Sequence, residues 1–114
     1  MAEYMSLEDI LALPDASEVT EEVDLSAFGW GRVLIRQFSI ADQNAVNDAC
    51  TGKDGRFDHD KADAMMLSIG LVQPAMSEAQ AAQLLAKRFG PVRHLLNCIQ
   101  RLSGLTDLAL ISQQ

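Results

Sequence analysis

The densest group of chemistry-bearing side chains runs from Asp54 to Asp63, where Asp54, Asp58, His59, Asp60 and Asp63 lie close together. Oxygen ligands at that density raise the question of a calcium loop. An EF-hand loop needs ligands at alternate places, a glycine at the sixth and a glutamate at the twelfth. Counted from Asp54, the twelfth residue is Met65, and Gly55 stands at the second place. The spacing fits turn residues and a helix cap better than a cation site.

The remaining candidates are two histidines, His59 and His94, and two cysteines, Cys50 and Cys98. A structural zinc site is anchored by short pairs such as Cys-x-x-Cys or His-x-x-x-His. Neither pair is present. Both cysteines fall in apolar helical stretches, where free thiols are commonly buried. The reading is reduced, unliganded cysteine in a reducing compartment. The sequence has no Gly-x-Ser-x-Gly elbow and no phosphate-cradling glycine loop. Gly29-Trp30-Gly31 reads as a turn. No catalytic residue, metal or cofactor is expected, and the chain is read as a non-enzyme.

The elements that would carry these residues follow from local signals. Ser6 with Asp9 reads as a helix start, and Pro14 stops the run after Leu13. This predicts a short helix at about 7–13 within an N-terminal arm, residues 1–17. Residues 18–25 are rich in Val and Thr. Residues 30–38, WGRVLIRQF, alternate with period two, placing Arg32, Leu34, Arg36 and Phe38 on one face and Val33, Ile35 and Gln37 on the other. Together they predict a β-hairpin from about Glu18 to Phe38, which must lie on helices to be stable.

Ser39 with Asp42 then caps a predicted helix over 40–51, with Ala41, Ala45, Val46 and Ala49 as its apolar side. Further helices are predicted over 61–70, 78–89 and 91–103. Their signals are Asp58 or Asp60 as a cap, the Ser77–Gln80 capping box, and Pro91 as a first helical residue. Leu71 to Pro74 reads as extended. The last helix has a stripe of Val92, Leu95, Leu96, Ile99 and Leu102. The fold class is α+β, a mainly helical single domain with an N-terminal hairpin. The globular part spans 18–105, and 106–114 is a C-terminal tail.

The chain has 114 residues, enough for one core and too few for two. Aromatic residues are only 5%, so that core is aliphatic. No apolar run approaches the roughly 20 residues of a membrane span, and the first ten residues do not resemble a signal peptide. The net charge is -7, which argues against nucleic acid and anionic membranes as partners. Its distribution says more. Residues 1–25 hold eight acidic residues and no Lys or Arg, so the other 89 sum to +1. This acidic arm is either a solvated segment or one that docks on basic helices of its own chain or of a neighbour. The basic residues within its reach would be Lys87, Arg88, Arg93 and Arg101. Weak self-association, at least to a dimer, is expected.

Met65, Met66 and Met76 cluster around the predicted third helix. They read either as core filling or as an adaptable surface for apolar helices. With Arg93 and Arg101 they are the candidate partner-binding residues.

Several stretches taken together resemble one family. They are Met5 to Leu11, Trp30 to Arg36, Ser39 to Asp42, Gly90 to Leu96 and Ile99 to Leu105. In this order and at this length the chain resembles the tail assembly chaperones of long-tailed bacteriophages and prophages, over about residues 5–105. The resemblance implies a non-virion protein of the host cytoplasm that binds the tape measure protein during tail assembly. The tail tube protein is a further implied partner. It also implies that a longer, frameshifted product is often made from the same gene. The alternative from another class is an acidic DNA mimic, or another inhibitor of a host factor. A mimic would spread its carboxylates over a whole face, whereas half of them here lie in the first 25 residues.

Overall fold

A computed structural model of the protein describes residues 4–104. The tail assigned to 106–114 lies outside the described residues. The elements are α1 (Leu7–Leu11), β1 (Thr20–Asp24), β2 (Arg32–Arg36), α2 (Ile40–Cys50), α3 (His59–Gly70), β3 (Leu71–Gln73), α4 (Glu78–Leu84) and α5 (Phe89–Leu102). The fold is α+β and mainly helical. Among the described residues no helix is long and apolar enough to cross a membrane.

The expected hairpin is present. β1 and β2 pair antiparallel, with Val23 opposite Val33 and Glu22 opposite Leu34. The sequence reading stopped at two strands. The structure adds β3, antiparallel to β2 with Ile35 opposite Leu71, in the order β1-β2-β3. A strand of three residues is too short to show period two, so only its extended backbone before Pro74 was legible. Ile35 is completely buried and Val23 nearly so, which sets the inner face of the sheet. Phe38 is buried as well, although alternation puts it on the outer face with Arg36. The strand ends at Arg36, and the chain turns before Phe38.

Each helix start that a capping box predicted is present. Ser6, Ser39 and Ser77 accept hydrogen bonds from the N–H groups of Asp9, Asp42 and Gln80. Asp58, rather than Asp60, caps α3. The apolar side of α2 differs from expectation. Only Val46 and Cys50 are buried, while Ala41, Ala45 and Ala49 face solvent. Alanine carries too little apolar area to decide which way a helix turns.

The largest correction concerns the α4–α5 junction. The predicted helix 78–89 stops at Leu84. Its end tightens through three-residue hydrogen bonds, from Ala86 N–H to Gln83 and from Lys87 N–H to Leu84. α5 then starts at Phe89, so Gly90 lies inside it and Pro91 is its third residue, not its first. Proline is still accommodated, because the N–H groups of a first turn have no intrahelical acceptor.

α5 supplies the centre of the core. Leu95, Leu96 and Ile99 are almost fully buried, with Leu67 of α3, Ile35 of β2 and Leu25 of the hairpin loop beside them. α3 packs against α2, α4, α5 and the sheet. Gly70 lets α3 and α5 approach: a Cβ built there would lie 2.7 Å from Ile99 Cδ1. Two polar contacts tie the chain end of α5 to the β2–α2 corner. Phe38 N–H donates to Ser103 Oγ at 2.8 Å, and Gln37 Nε2 donates to the Leu102 carbonyl at 3.0 Å.

At that corner Asp42 accepts from the Ser39 N–H and pairs with Arg36 at 3.0 Å. Burial raises the carboxyl's pKa, but the Arg36 and Ser39 hydrogen bonds outweigh it and hold it below the ordinary value. A lowered folded pKa means stability that is complete above the unfolded pKa, near 3.8, and lost as pH falls through the folded value. Asp42→Asn is therefore expected to cost about 1 kcal/mol at about pH 7, with the gap to the wild type closing as the pH falls below the ordinary carboxylate range. Urea titrations at neutral and acidic pH check this; an equal gap at both would refute it. Gly70→Ala is expected to cost about 1–3 kcal/mol, because Ile99 has no room to retreat. A thermal melt unchanged by that substitution would contradict the close approach.

Candidate functional site

The acidic loop serves local structure. Asp54 Oδ1 accepts from the Arg56 N–H at 3.0 Å, and Asp58 Oδ1 from the Lys61 N–H at 3.1 Å. Gly52 and Arg56 close the loop through a 2.8 Å backbone hydrogen bond, and Gly55 turns it with φ of 80°. Asp63 leaves the loop altogether and meets Arg93 of α5 at 3.8 Å.

Both cysteines are free and buried. Burial pushes the Cys50 and Cys98 thiols above their ordinary pKa. Cys98 Sγ lies 3.5 Å from His94 Nε2, one helical turn away, and 3.6 Å from Arg101 Nη2. Arg101 opposes the effect of burial without overcoming it. A protonated, buried thiol is a poor nucleophile, so this trio is a packing contact. Native protein is expected to react with a thiol reagent far more slowly than unfolded protein, at both positions. Rapid native labelling of either cysteine would overturn that reading.

The candidate partner-binding residues separate in the structure. Met66 is 7% exposed and lies in the core, where Gln100 Nε2 reaches its sulfur at 3.8 Å. Met65, its neighbour on α3, turns instead to Cys50 Sγ at 3.7 Å. Met76 is half-buried against the core, and its carbonyl accepts from Ser68 Oγ. An exposed patch built from all three methionines is therefore not formed. Replacing Met65 and Met66 by charges would test folding rather than binding. Arg101 is exposed in the last turn of α5.

Arg93 stands somewhere more informative. It lines a cleft of about 150 Å³ at the α4–α5 junction, with Leu85, Phe89, Val92 and Leu96 as the apolar wall. Lys87, Asp60 and Asp63 complete the rim. Phe89 is 75% exposed, and the Arg93 guanidinium lies 5.7 Å from its ring centre. The junction is held from behind. Arg88 Nη1 donates to the Phe28 carbonyl of the hairpin loop, and Gly90 allows the Phe28 ring to close on α5. Sequence reasoning missed Phe89 because it assigned that residue to the end of one amphipathic helix. Placed at the start of the next, the same side chain stands outside the core.

A second apolar surface lies on the arm. The five residues of α1 bury nothing. Leu7 and Leu11 are 70% and 75% exposed, and Met5, Ile10 and Leu13 are exposed beside them. Each such side chain leaves unrealised much of the roughly 1.5–3 kcal/mol that full burial would contribute. A wider, shallower hollow of about 560 Å³ covers the outer face of the sheet. It is floored by the exposed Glu22–Arg32 pair and by Leu34, and no large apolar side chain stands open there. Among the described residues, large apolar side chains stand exposed on the arm and at Phe89 of the cleft, and also at Ile40, Phe57 and Val72. Comparison of the chain with protein-family models, with curated proteins and with solved structures finds no match.

Proposed function

We propose that the protein is a tail assembly chaperone that binds the tape measure protein before the tail tube polymerises around it. The observation that carries this reading is the exposed Phe89 in the cleft at the α4–α5 junction, in a protein of net charge -7. The stretches named in the sequence analysis, which resemble that family, support it further.

The physical argument is short. A long helical client displays apolar stripes that aggregate when uncovered. A helix-in-groove contact covers such a stripe without any covalent step. Phe89, 75% exposed, presents most of the apolar area for that contact, with Leu85 half-buried beside it and Val92 and Leu96 buried beneath. The acidic surface keeps the loaded complexes soluble and mutually repelling. Tube subunits then displace the chaperone as they close on the client. On this reading the protein acts without chemistry, works in the host cytoplasm and is absent from the finished virion. Lys87 and Arg93 flank the cleft and orient the client, while the apolar wall provides affinity. Salt is therefore expected to weaken binding only modestly.

The test is co-expression of the tape measure protein with this chain. The client is expected to stay soluble only when the chain is present. Phe89→Asp is expected to weaken client binding about 10- to 100-fold while leaving the fold intact, since the side chain is mostly exposed. Equal client solubility with and without the chain, together with normal tails after gene deletion, would refute the proposal.

A further inference from the structure

We infer that the open edge of β1 takes a basic, extended segment of a partner protein as a fourth, antiparallel strand, with Lys or Arg at alternate positions. Three observations carry this.

The first is the direction of the backbone groups. The sheet order β1-β2-β3 leaves one side of β1 at the edge. Leu25 N–H donates to the Gly31 carbonyl, and Gln37 N–H donates to the Val19 carbonyl. The register runs without a break from Thr20 opposite Arg36 to Asp24 opposite Arg32, so these two bonds fix the alternation between them. Glu21 and Val23 turn their N–H and C=O groups toward β2. Thr20, Glu22 and Asp24 turn theirs away from it. All three are exposed, and among the described residues no strand lies on that side.

The second is the contrast between the two edges. Sheets close an edge to newcomers with a short strand, a proline, a bulge or charge. β3 is three residues long, runs into Pro74 and shifts register against β2. β1 has five residues, no proline and a regular register. Charge is the device that remains on β1, and it has a single sign.

The third is that sign. Asp15, Glu18, Glu21, Glu22 and Asp24 lead into and occupy the strand, with no Lys or Arg among residues 15–25. Of these, among the described residues, only Glu22 is in an ion pair, with the exposed Arg32 at 3.2 Å. Two β1 edges brought together would set carboxylate against carboxylate, so this edge rejects a second copy of the chain. An added antiparallel strand lies about 4.8 Å away, and its residues opposite Thr20, Glu22 and Asp24 share their face of the sheet. Cations at those places meet the carboxylates. The unpaired backbone supplies affinity, and the charge selects the occupant.

The inference uses neither the α4–α5 cleft nor the chaperone reading. Its test titrates the full chain with three synthetic peptides of alternating lysine and valine: unmodified, N-methylated at the valines, and N-methylated at the lysines. All three carry the same charge. In the proposed pairing the lysine N–H groups face β1 and the valine N–H groups face away. The unmodified and valine-methylated peptides are expected to bind alike, and the lysine-methylated one at least about tenfold more weakly, because it forfeits several hydrogen bonds. Amide NMR signals of Thr20, Glu22 and Asp24 are expected to move most. Glu22→Pro removes an outward N–H without touching the β2 ladder, and is expected to weaken binding of the unmodified peptide more than Glu22→Gln does. Equal binding of the lysine-methylated and unmodified peptides would overturn the inference, since charge alone would then explain it. So would signals that move chiefly away from β1, or no binding of the unmodified peptide.

Discussion

Ile99 has no accessible surface, and the residue it presses on, Gly70, has no Cβ. That close approach sets the separation of α3 and α5, and the remaining elements are placed against those two helices. Leu67 comes down on the same side of α3, Leu95 and Leu96 extend the contact along α5, and the sheet closes over them through Ile35 and Leu71. With so few aromatic side chains the core has little volume per residue, so it is filled by bringing backbones together. A larger side chain at position 70 would push α5 outward. The Gln37 and Phe38 hydrogen bonds to its last turn would then lengthen. One small residue thus couples the helix pair to the sheet-to-helix corner.

That corner joins the end of the central strand to the start of α2. Arg36 ends β2, pairs with Asp42 and also donates to the Gln37 carbonyl at 3.0 Å. Asp42 in turn completes the α2 cap. Strand end, turn and helix start share one half-buried ion pair, which is screened less than the exposed Glu22–Arg32 and Asp54–Arg56 pairs. The exposed pairs add little to stability.

Much of this was legible in the sequence because the signals are local. A serine followed three residues later by Asp or Gln specifies a helix start through hydrogen bonds that lie within four residues, and Ser6, Ser39 and Ser77 all do so. The hairpin was legible because Val33 and Ile35 alternate with arginines. What escaped reading depends on distant partners. Leu71 to Gln73 becomes a strand only because β2 is beside it. Met66 and Met65 have one residue type and adjacent positions, and only the placement of α5 and α2 makes one of them core and the other half-buried. At the α4–α5 junction, Gly90-Pro91 gave a strong local stop-and-start signal in the wrong place. The Arg88 contact to the hairpin loop and the fit of the Phe28 ring over Gly90 favour a helix that begins two residues earlier. That shift exposes Phe89 and creates the cleft.

The arm presents the opposite problem, a local signal that is correct but incomplete. A helix of five residues is well below the length at which helices are stable alone in water. Its capping box contributes only about 1 kcal/mol, and it has no buried side chain to add to that. An amphipathic segment of this kind is stabilised by the surface it lies on. Among the described residues, the α4–α5 cleft has the exposed Phe89 at its wall, and its rim carries two cations, Lys87 and Arg93, and two carboxylates, Asp60 and Asp63. Helix α1 and the Phe89 side chain each leave apolar area uncovered.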